Sequence, residues 1–481
     1  MNNNNGAVAP QNSVRIYPWI VAIFGMLALF LSNGMTATGI TIYDPALLDE
    51  FGWPRGDFKF RDLLNLGVSG LIAPFVGVLI DRYNPKWLLI GGLSLLTLGY
   101  FGYAALANGG PVPLLEVIAA LTIVGLAIMV VIALRVMIPA IPLSAALGIA
   151  AVLAVIGAWL YTQYWMGVAL KQVYMIHLLF ALALSSAGSM VVIFLVSSWF
   201  VKHRGLAIGI ALVGTSMGSA IFPAINPYLI ETMGWRAAFV TNAYMPLVFI
   251  VLVFIFLRGT PRHAGSTALG QGTEIKDLKQ HGLTFLEARQ TRTFWVIGIS
   301  GFLTYYAIFS VVQHLVLHAV KTFNFTLRDA GGLMFWFSVV AMTCKLASGA
   351  MADIIDRHKV FTACFVIMLL GVVGLATMRV DLLYIATVVI AMGWGGLFTL
   401  YNMLAVSNFG LREIGRINGA ISFMEAIGAG LGSWITGKLF DTTGSYRVPF
   451  IALAVMVFVA VVMSRFVRSE VDERVLIKTP S

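Results

Sequence analysis

The stretch WFSVVAMTCKLASGAMADIIDRHK runs from Trp336 to Lys359. Most of it suits lipid, yet Lys345 lies near its middle, where a cation costs roughly 2.5 to 3.5 kcal/mol on insertion scales. Its last eleven residues, GAMADIIDRHK (349–359), have a counterpart in GVLIDRYNPK (77–86). In both, an apolar run passes a Gly and, four residues on, an Asp, with an Asp-Arg pair (Asp81–Arg82, Asp356–Arg357) and then a Lys at its edge. A repeat of this kind points to two related helical halves.

The rest of the chain agrees. Of 481 residues, 59% are hydrophobic and only 11% charged, against about 25% charged in a soluble domain. Apolar runs long enough to cross a bilayer occur at about 17–42, 63–80, 86–107, 113–135, 142–162, 174–199, 205–230, 237–257, 294–319, 331–352, 359–378, 382–408, 417–439 and 447–466, fourteen in all. The pattern predicts an all-α polytopic membrane protein. The net charge of +10 does not imply nucleic acid, because the basic residues fall in short loops between apolar runs. The two cysteines, Cys344 and Cys364, lie inside apolar runs, and nothing has metal-ligand or disulfide spacing. No phosphate-binding glycine loop and no covalent-catalysis constellation occurs, so ATP drive, a cofactor and an enzyme are not expected.

Charge placement gives an orientation. With the N-terminus inside, the loops DRYNPK (81–86), VKHRG (201–205), DRHK (356–359) and LREIGR (411–416) and the tail RFVRSEVDER (465–474) all fall on the cytoplasmic side. The segment around Arg55, Lys59 and Arg61 falls outside, as a partial exception. The organisation expected is a disordered tail at 1–14, an N-terminal half at 15–257 with an inserted hairpin at 113–162, a cytoplasmic loop at 258–293, a C-terminal half at 294–466 and a cytoplasmic tail at 467–481. A bacterial inner membrane is the expected setting.

The motifs carry a family resemblance. GVLIDRYNPK is similar to the loop 2–3 signature of the major facilitator superfamily, with Asn84 where glycine is usual. PALLDEFGWPRGDF (45–58), WFVKHRGLAIGIALVGTSMGSAIFPAINPYLIETMGWRAAF (199–239) and GKLFDTTGSYRVPF (437–450) resemble its monocarboxylate and oxalate–formate-type porters. The resemblance covers nearly the whole chain except 108–170, and it implies the major facilitator fold of two six-helix halves. The runs at 113–135 and 142–162 are then an added transmembrane hairpin, bringing the crossings to fourteen. An insertion there must cross an even number of times, or VKHRG would face outside.

Within that frame the intramembrane polar residues are the site candidates. The porters it resembles place a cation, commonly arginine, before xxxGxxAD in the eighth helix, where it meets the substrate carboxylate. KLASGAMAD (345–353) puts Lys345 there, as a compact ammonium with three donors; the alternative is a lysine permanently paired to another helix. Glu425 is the one acid within its run, which predicts either a proton-coupling partner that pairs with Lys345 or a static structural pair. Asp44 is a second proton-coupling candidate. Tyr305, His314, Tyr401 and Asn402 are candidates for lining a substrate cavity. His314 and His318 share a helix face and read as a gate, as plain packing or, least well, as a metal pair. Arg61 and Asp62 read as a solvated helix edge. Asp81, Arg82, Asp353, Asp356 and Arg357, in the repeated motif, read as a latch between helices. GTSMGSAIFP (214–223) spaces glycines for close helix approach.

The function these residues predict is alternating-access transport of a small organic anion, a monocarboxylate first, by proton symport. The partners are then a small carboxylate, protons and the lipid bilayer. The rivals are an efflux or exchange carrier for another small molecule, with Glu425 as the recognition charge, and a non-transporting sensor on the same fold.

Overall fold

The computed structural model describes residues 11–107, 112–138, 141–163, 168–201, 203–261, 268–269, 282–410 and 412–467. Residues 468–481, half of the 258–293 loop and residues 1–10 fall outside the described residues. Every expected apolar run is mostly helical, with the run at 174–199 broken at Gly188 between two helices. The first half holds α1 (Gln11–Asn33), α2 (Asp44–Phe51), α3 (Arg55–Arg82), α4 (Pro85–Ala104), α5 (Pro113–Met137), α6 (Leu143–Gln163), α7 (Val168–Ala187), α8 (Ser189–Trp199) and α9 (Arg204–Phe256). After the short α10 (Phe285–Ala288), the second half holds α11 (Arg292–Phe323), α12 (Leu327–Ile354), α13 (Arg357–Ala376), α14 (Val380–Phe409), α15 (Ile414–Thr443) and α16 (Arg447–Ser464). Helix α1 thus begins inside the expected 1–14 tail.

The number of crossings is a separate matter. Among the described residues, ten helices are long and apolar enough to cross a bilayer, so the expected count of fourteen does not follow from length and hydropathy. Helices α3 and α15 fall outside that set; each carries several charges. The apolar part of α6 is short, at Leu143–Trp159. Helix α9 is one run of 53 residues that absorbs two expected runs. At about 1.5 Å per residue it is far longer than one bilayer crossing. It breaks at Gly234, whose φ of 79° and ψ of 158° belong to a region open essentially to glycine alone.

Among the described residues two large apolar cores divide the bundle, and a third, small one of Ile72, Val76, Ile80, Leu182 and Val191 packs α3 on α7 and α8. Of the large cores, one joins α1, α4, α7, α8 and α9 around Tyr100, Phe180 and Phe239; the other joins α11 to α16 around Phe337, Phe365 and Leu400. Glycine spacing sets the approach of α1 to α9. A Cβ at Gly214 would fall on the Met26 carbonyl oxygen, and one at Gly218 on that of Phe30. Beyond this contact α1 unwinds, first into a wide π turn at Gly34–Thr38 and then into a tight 3-10 turn at Gly39–Tyr43. Polar side chains hold the unwound backbone: Asn226 Nδ2 donates to the Gly39 carbonyl at 2.9 Å, and Asn242 Nδ2 donates to Asn226 at 2.8 Å and to the Tyr43 hydroxyl at 2.7 Å.

The inserted hairpin sits at the edge. Helix α5 packs on α7, where the Thr122 hydroxyl reaches the Met175 carbonyl at 3.3 Å. Helix α6 packs on α5 and turns Val152, Val155 and Trp159 outward, about 60% or more exposed. The turn expected at PAIP (139–142) lies partly outside the described residues.

The halves meet along two seams, α3 with α15 and the first part of α9 with α12. We call the end that carries Tyr17 and Ser464 the termini end and the other the far end. At the far end the halves are tied by Lys321–Asp49 and Lys438–Asp57, both at 2.5 Å, and by Arg328–Glu231 at 2.6 Å. Asp441 also accepts from the backbone N–H groups of Arg55 and Gly56 at 2.9 and 2.7 Å. Toward the termini end the helices part. Leu206 of α9 is 60% exposed and Ile354 of α12 is 87% exposed. Among the described residues, the ion pairs between the halves all lie at the far end.

Candidate functional site

Lys345 sits on α12 at the α9 seam. Its Nζ donates to the hydroxyl of buried Ser216 at 2.9 Å and lies 4.2 Å from the centre of the Phe398 ring. Among the described residues it has no carboxylate within ion-pair distance. Helix α14 supports it from behind, the Thr399 hydroxyl donating to the Lys345 carbonyl at 2.9 Å. Neither sequence expectation about a fixed partner is met: Lys345 is not paired with Glu425 or with another acid on a neighbouring helix. The sequence places both charges in the second half, but they lie on different helices facing different seams, and linear position does not encode that.

Glu425 faces the other seam. It lines a crevice of about 350 Å³ between α3, the α7–α8 junction, α11 and α15. Ser422, one turn earlier, hydrogen-bonds to its carboxylate, and Gly301 of α11 leaves the space the carboxylate occupies. Tyr305 lines the same crevice, its ring edge-on to Trp394 at 5.0 Å. Ser69, Ser185 and Ser189 add hydroxyls to the opposing wall. A small polar solute fits the crevice, with one carboxylate among its lining residues.

The far end holds a charge cluster that sequence reading missed. Arg61 and Asp62 are not a solvated edge; they are 0% and 3% exposed. Asp44 accepts from Lys59 Nζ at 2.6 Å and from Arg61, and all three are fully buried. Asp62 lies 3.5 Å from both cations and accepts from the Ser433 hydroxyl of α15 at 2.6 Å, which ties the halves together. Arg61 also donates to the Tyr103 hydroxyl at 3.2 Å, which meets His177 Nε2 at 3.3 Å, and its guanidinium stacks 3.7 Å over Phe58. Two cations and two carboxylates leave the cluster neutral overall. That reduces the apparent exception to the orientation rule to Arg55, because Lys59 and Arg61 are internal charges and not loop charges. The signal available in the sequence was that exception itself.

The remaining candidates scatter. His314 is fully buried beside this cluster, with Nε2 2.8 Å from the Ser433 carbonyl and Nδ1 3.1 Å from the Tyr446 hydroxyl. It lies outside the lining of the Glu425 crevice, and His318 is packed among Phe323, Tyr446 and Phe450. The Tyr401 hydroxyl is turned into the α11 backbone side, 2.9 Å from Thr304. Asn402 is exposed and donates to the Phe398 carbonyl at 3.1 Å. Of the latch residues, Asp356 caps α13 by accepting from the His358 and Lys359 N–H groups at 2.9 and 3.1 Å. Arg357 begins that helix, and the side chains of Asp81, Arg82 and Asp353 lie outside the described residues.

Two helical halves that meet around an ionisable crevice are the architecture expected of the family the sequence resembles. Comparison with known proteins agrees. The sequence profile described as Major Facilitator Superfamily matches residues 136–433, and the chain belongs to that family, as an integral membrane protein. It is similar to an uncharacterized MFS-type transporter, YhjX, of Escherichia coli K12 (24% identity over 49% of this chain and 56% of the relative). It is also similar to monocarboxylate transporter 13 of Bos taurus (29%; 53% and 58%) and to the nitrite extrusion protein of Bacillus subtilis 168 (23%; 53% and 60%). The chain thus spans little more than half the length of these curated relatives.

Proposed function

We propose that the protein carries a small organic anion, a monocarboxylate first, together with a proton by alternating access, with both termini in the cytoplasm. The observation that carries this reading is the unpaired Lys345 ammonium at the seam where the halves part. In a site shielded from water, a carboxylate completes its charge with more gain than in bulk solvent. Glu425 on the opposite seam takes the proton. Their separation suggests how the two loads are coupled. Closing both seams toward the termini end would dry both groups, and a buried charge left without a partner costs about 3 to 5 kcal/mol. A carrier loaded with anion on Lys345 and proton on Glu425 closes without that cost; a carrier with one load does not. The related names monocarboxylate transporter and nitrite extrusion protein both denote anion carriers, which supports an anionic substrate and leaves its identity to experiment.

The test is uptake of labelled lactate, pyruvate and formate into proteoliposomes under an imposed pH gradient. Uptake above control vesicles is expected, with Lys345→Gln weakening apparent affinity about ten- to hundredfold, the loss of a charge-assisted contact worth about 1.5 to 3 kcal/mol. Unchanged affinity in the folded variant refutes the role of Lys345. Indifference to all acids with transport of organic cations supports export through Glu425, and binding without uptake supports a sensor.

A further inference from the structure

The repeated motif that begins α4 and α13 is resolved differently in the two halves. In the first, Asn84 caps α4, and the next residues seal the groove toward the last turn of α9. Lys86 Nζ donates to the Phe254 carbonyl at 2.8 Å, and Trp87 sets its ring edge-on to Phe254 at 6.0 Å. In the second, Asp356 caps α13, and the corresponding residues are His358 and Lys359. The groove toward the last turn of α16 stays open as a cavity of about 600 Å³.

The cavity has a polar mouth and an apolar wall. His358 and Lys359 from α13 and Arg465 from the end of α16 stand at the mouth. Among the described residues neither Lys359 nor Arg465 has an ion-pair partner, and His358 Nδ1 is buried with no hydrogen-bond partner. The N–H groups of His358 and Lys359 already bond to Asp356, so side chains and not the helix terminus are free to hold an anion. Behind them Thr362 and Ser464 join hydroxyls at 2.8 Å. Farther along α13, Val366 and Ile367 make an apolar wall. Val366, Leu370 and Val373 are 41%, 63% and 47% exposed on one stripe of α13, which places the groove on the lipid-facing flank, away from the transport crevice.

We propose that this groove binds an anionic phospholipid, its phosphate held by Lys359 and Arg465 and an acyl chain lying along Val366 and Ile367. Basic pockets between helices at a membrane edge suit anionic headgroups, and the apolar wall selects a lipid over a free anion. The bound lipid would brace the start of α13, directly after the repeated loop that includes Asp356 and Arg357.

The experiment is native mass spectrometry of the purified full-length protein titrated with phosphatidylglycerol or phosphatidylcholine. One phosphatidylglycerol is expected to bind in preference to phosphatidylcholine. The double substitution Lys359→Gln with Arg465→Gln should weaken it about 30-fold, since each cation contributes about fivefold near a membrane surface. Lys86→Gln, which removes a cation from the sealed groove, should change it less than twofold. Both changed cations at the open groove are exposed, and a matching unfolding midpoint confirms that the double variant is folded. Equal binding of the two lipids, an unaffected double variant or an equal loss in Lys86→Gln overturns the proposal. Displacement of the lipid by millimolar inorganic phosphate also overturns it, because the groove would then recognise phosphate without the chain.

Discussion

Replacing Asp44 by Asn should be among the most destabilising single changes in the protein. Asp44 accepts from Lys59 and Arg61, and none of the three side chains is exposed to any degree. The change keeps the shape and removes one of two carboxylates that balance two cations. Asp62 then neutralises one cation from 3.5 Å, and the other is left buried and uncompensated. Breaking a buried pair in this way costs about 3 to 5 kcal/mol. The internal control is Asp49→Asn. It breaks a far-end pair of similar length, to Lys321 at 2.5 Å, but Asp49 is 64% exposed, and solvated pairs contribute about 0 to 1 kcal/mol. Equilibrium unfolding of both variants in the same detergent, followed by loss of helical circular dichroism, compares them. An Asp44→Asn loss no larger than that of Asp49→Asn would refute the claim that the cluster is a dry, mutually neutralised unit.

Helix contact and orientation give further tests. Gly214→Val drives a side chain into the Met26 carbonyl, and overpacking of this kind costs about 1 to 3 kcal/mol or more. Gly209→Ala, whose Cβ meets no atom within 4 Å, should leave the unfolding midpoint unchanged; equal losses would show that α1 and α9 are not in close contact. In a background lacking Cys344 and Cys364, Ile354→Cys should react with a membrane-impermeant maleimide in inside-out vesicles and not in intact cells. Labelling in intact cells would reverse the proposed orientation.

The helices were legible because lipid-compatible runs must satisfy their backbone internally, and each run in the sequence is mostly helical in the structure. The crossings were less legible. The Gly234 break sits inside a helix that continues on both sides, and α3 and α15 carry charges at the seams where the halves touch. Lys345 stood out because a cation in an apolar run has few bland explanations. Its surroundings did not, since pairing depends on which seam each helix faces. The far-end cluster was hidden for a related reason: KFRD at a helix start looks the same whether water or Tyr103, His177 and Ser433 surround it. Asp44 was singled out as a proton site, and its bonds to Lys59 and Arg61 became visible only once α2 was folded back on α3.

The coupling mechanism depends on Glu425 carrying the proton independently of Lys345. Its most direct test compares two fluxes of labelled lactate in the same proteoliposomes containing Glu425→Gln. One is accumulation driven by a pH gradient, and the other is exchange at equal pH and equal lactate on both sides. Because the side chain can no longer gain or lose a proton, gradient-driven accumulation should fall to the level of control vesicles while exchange persists. Full accumulation in Glu425→Gln would contradict the mechanism and move the proton to another group.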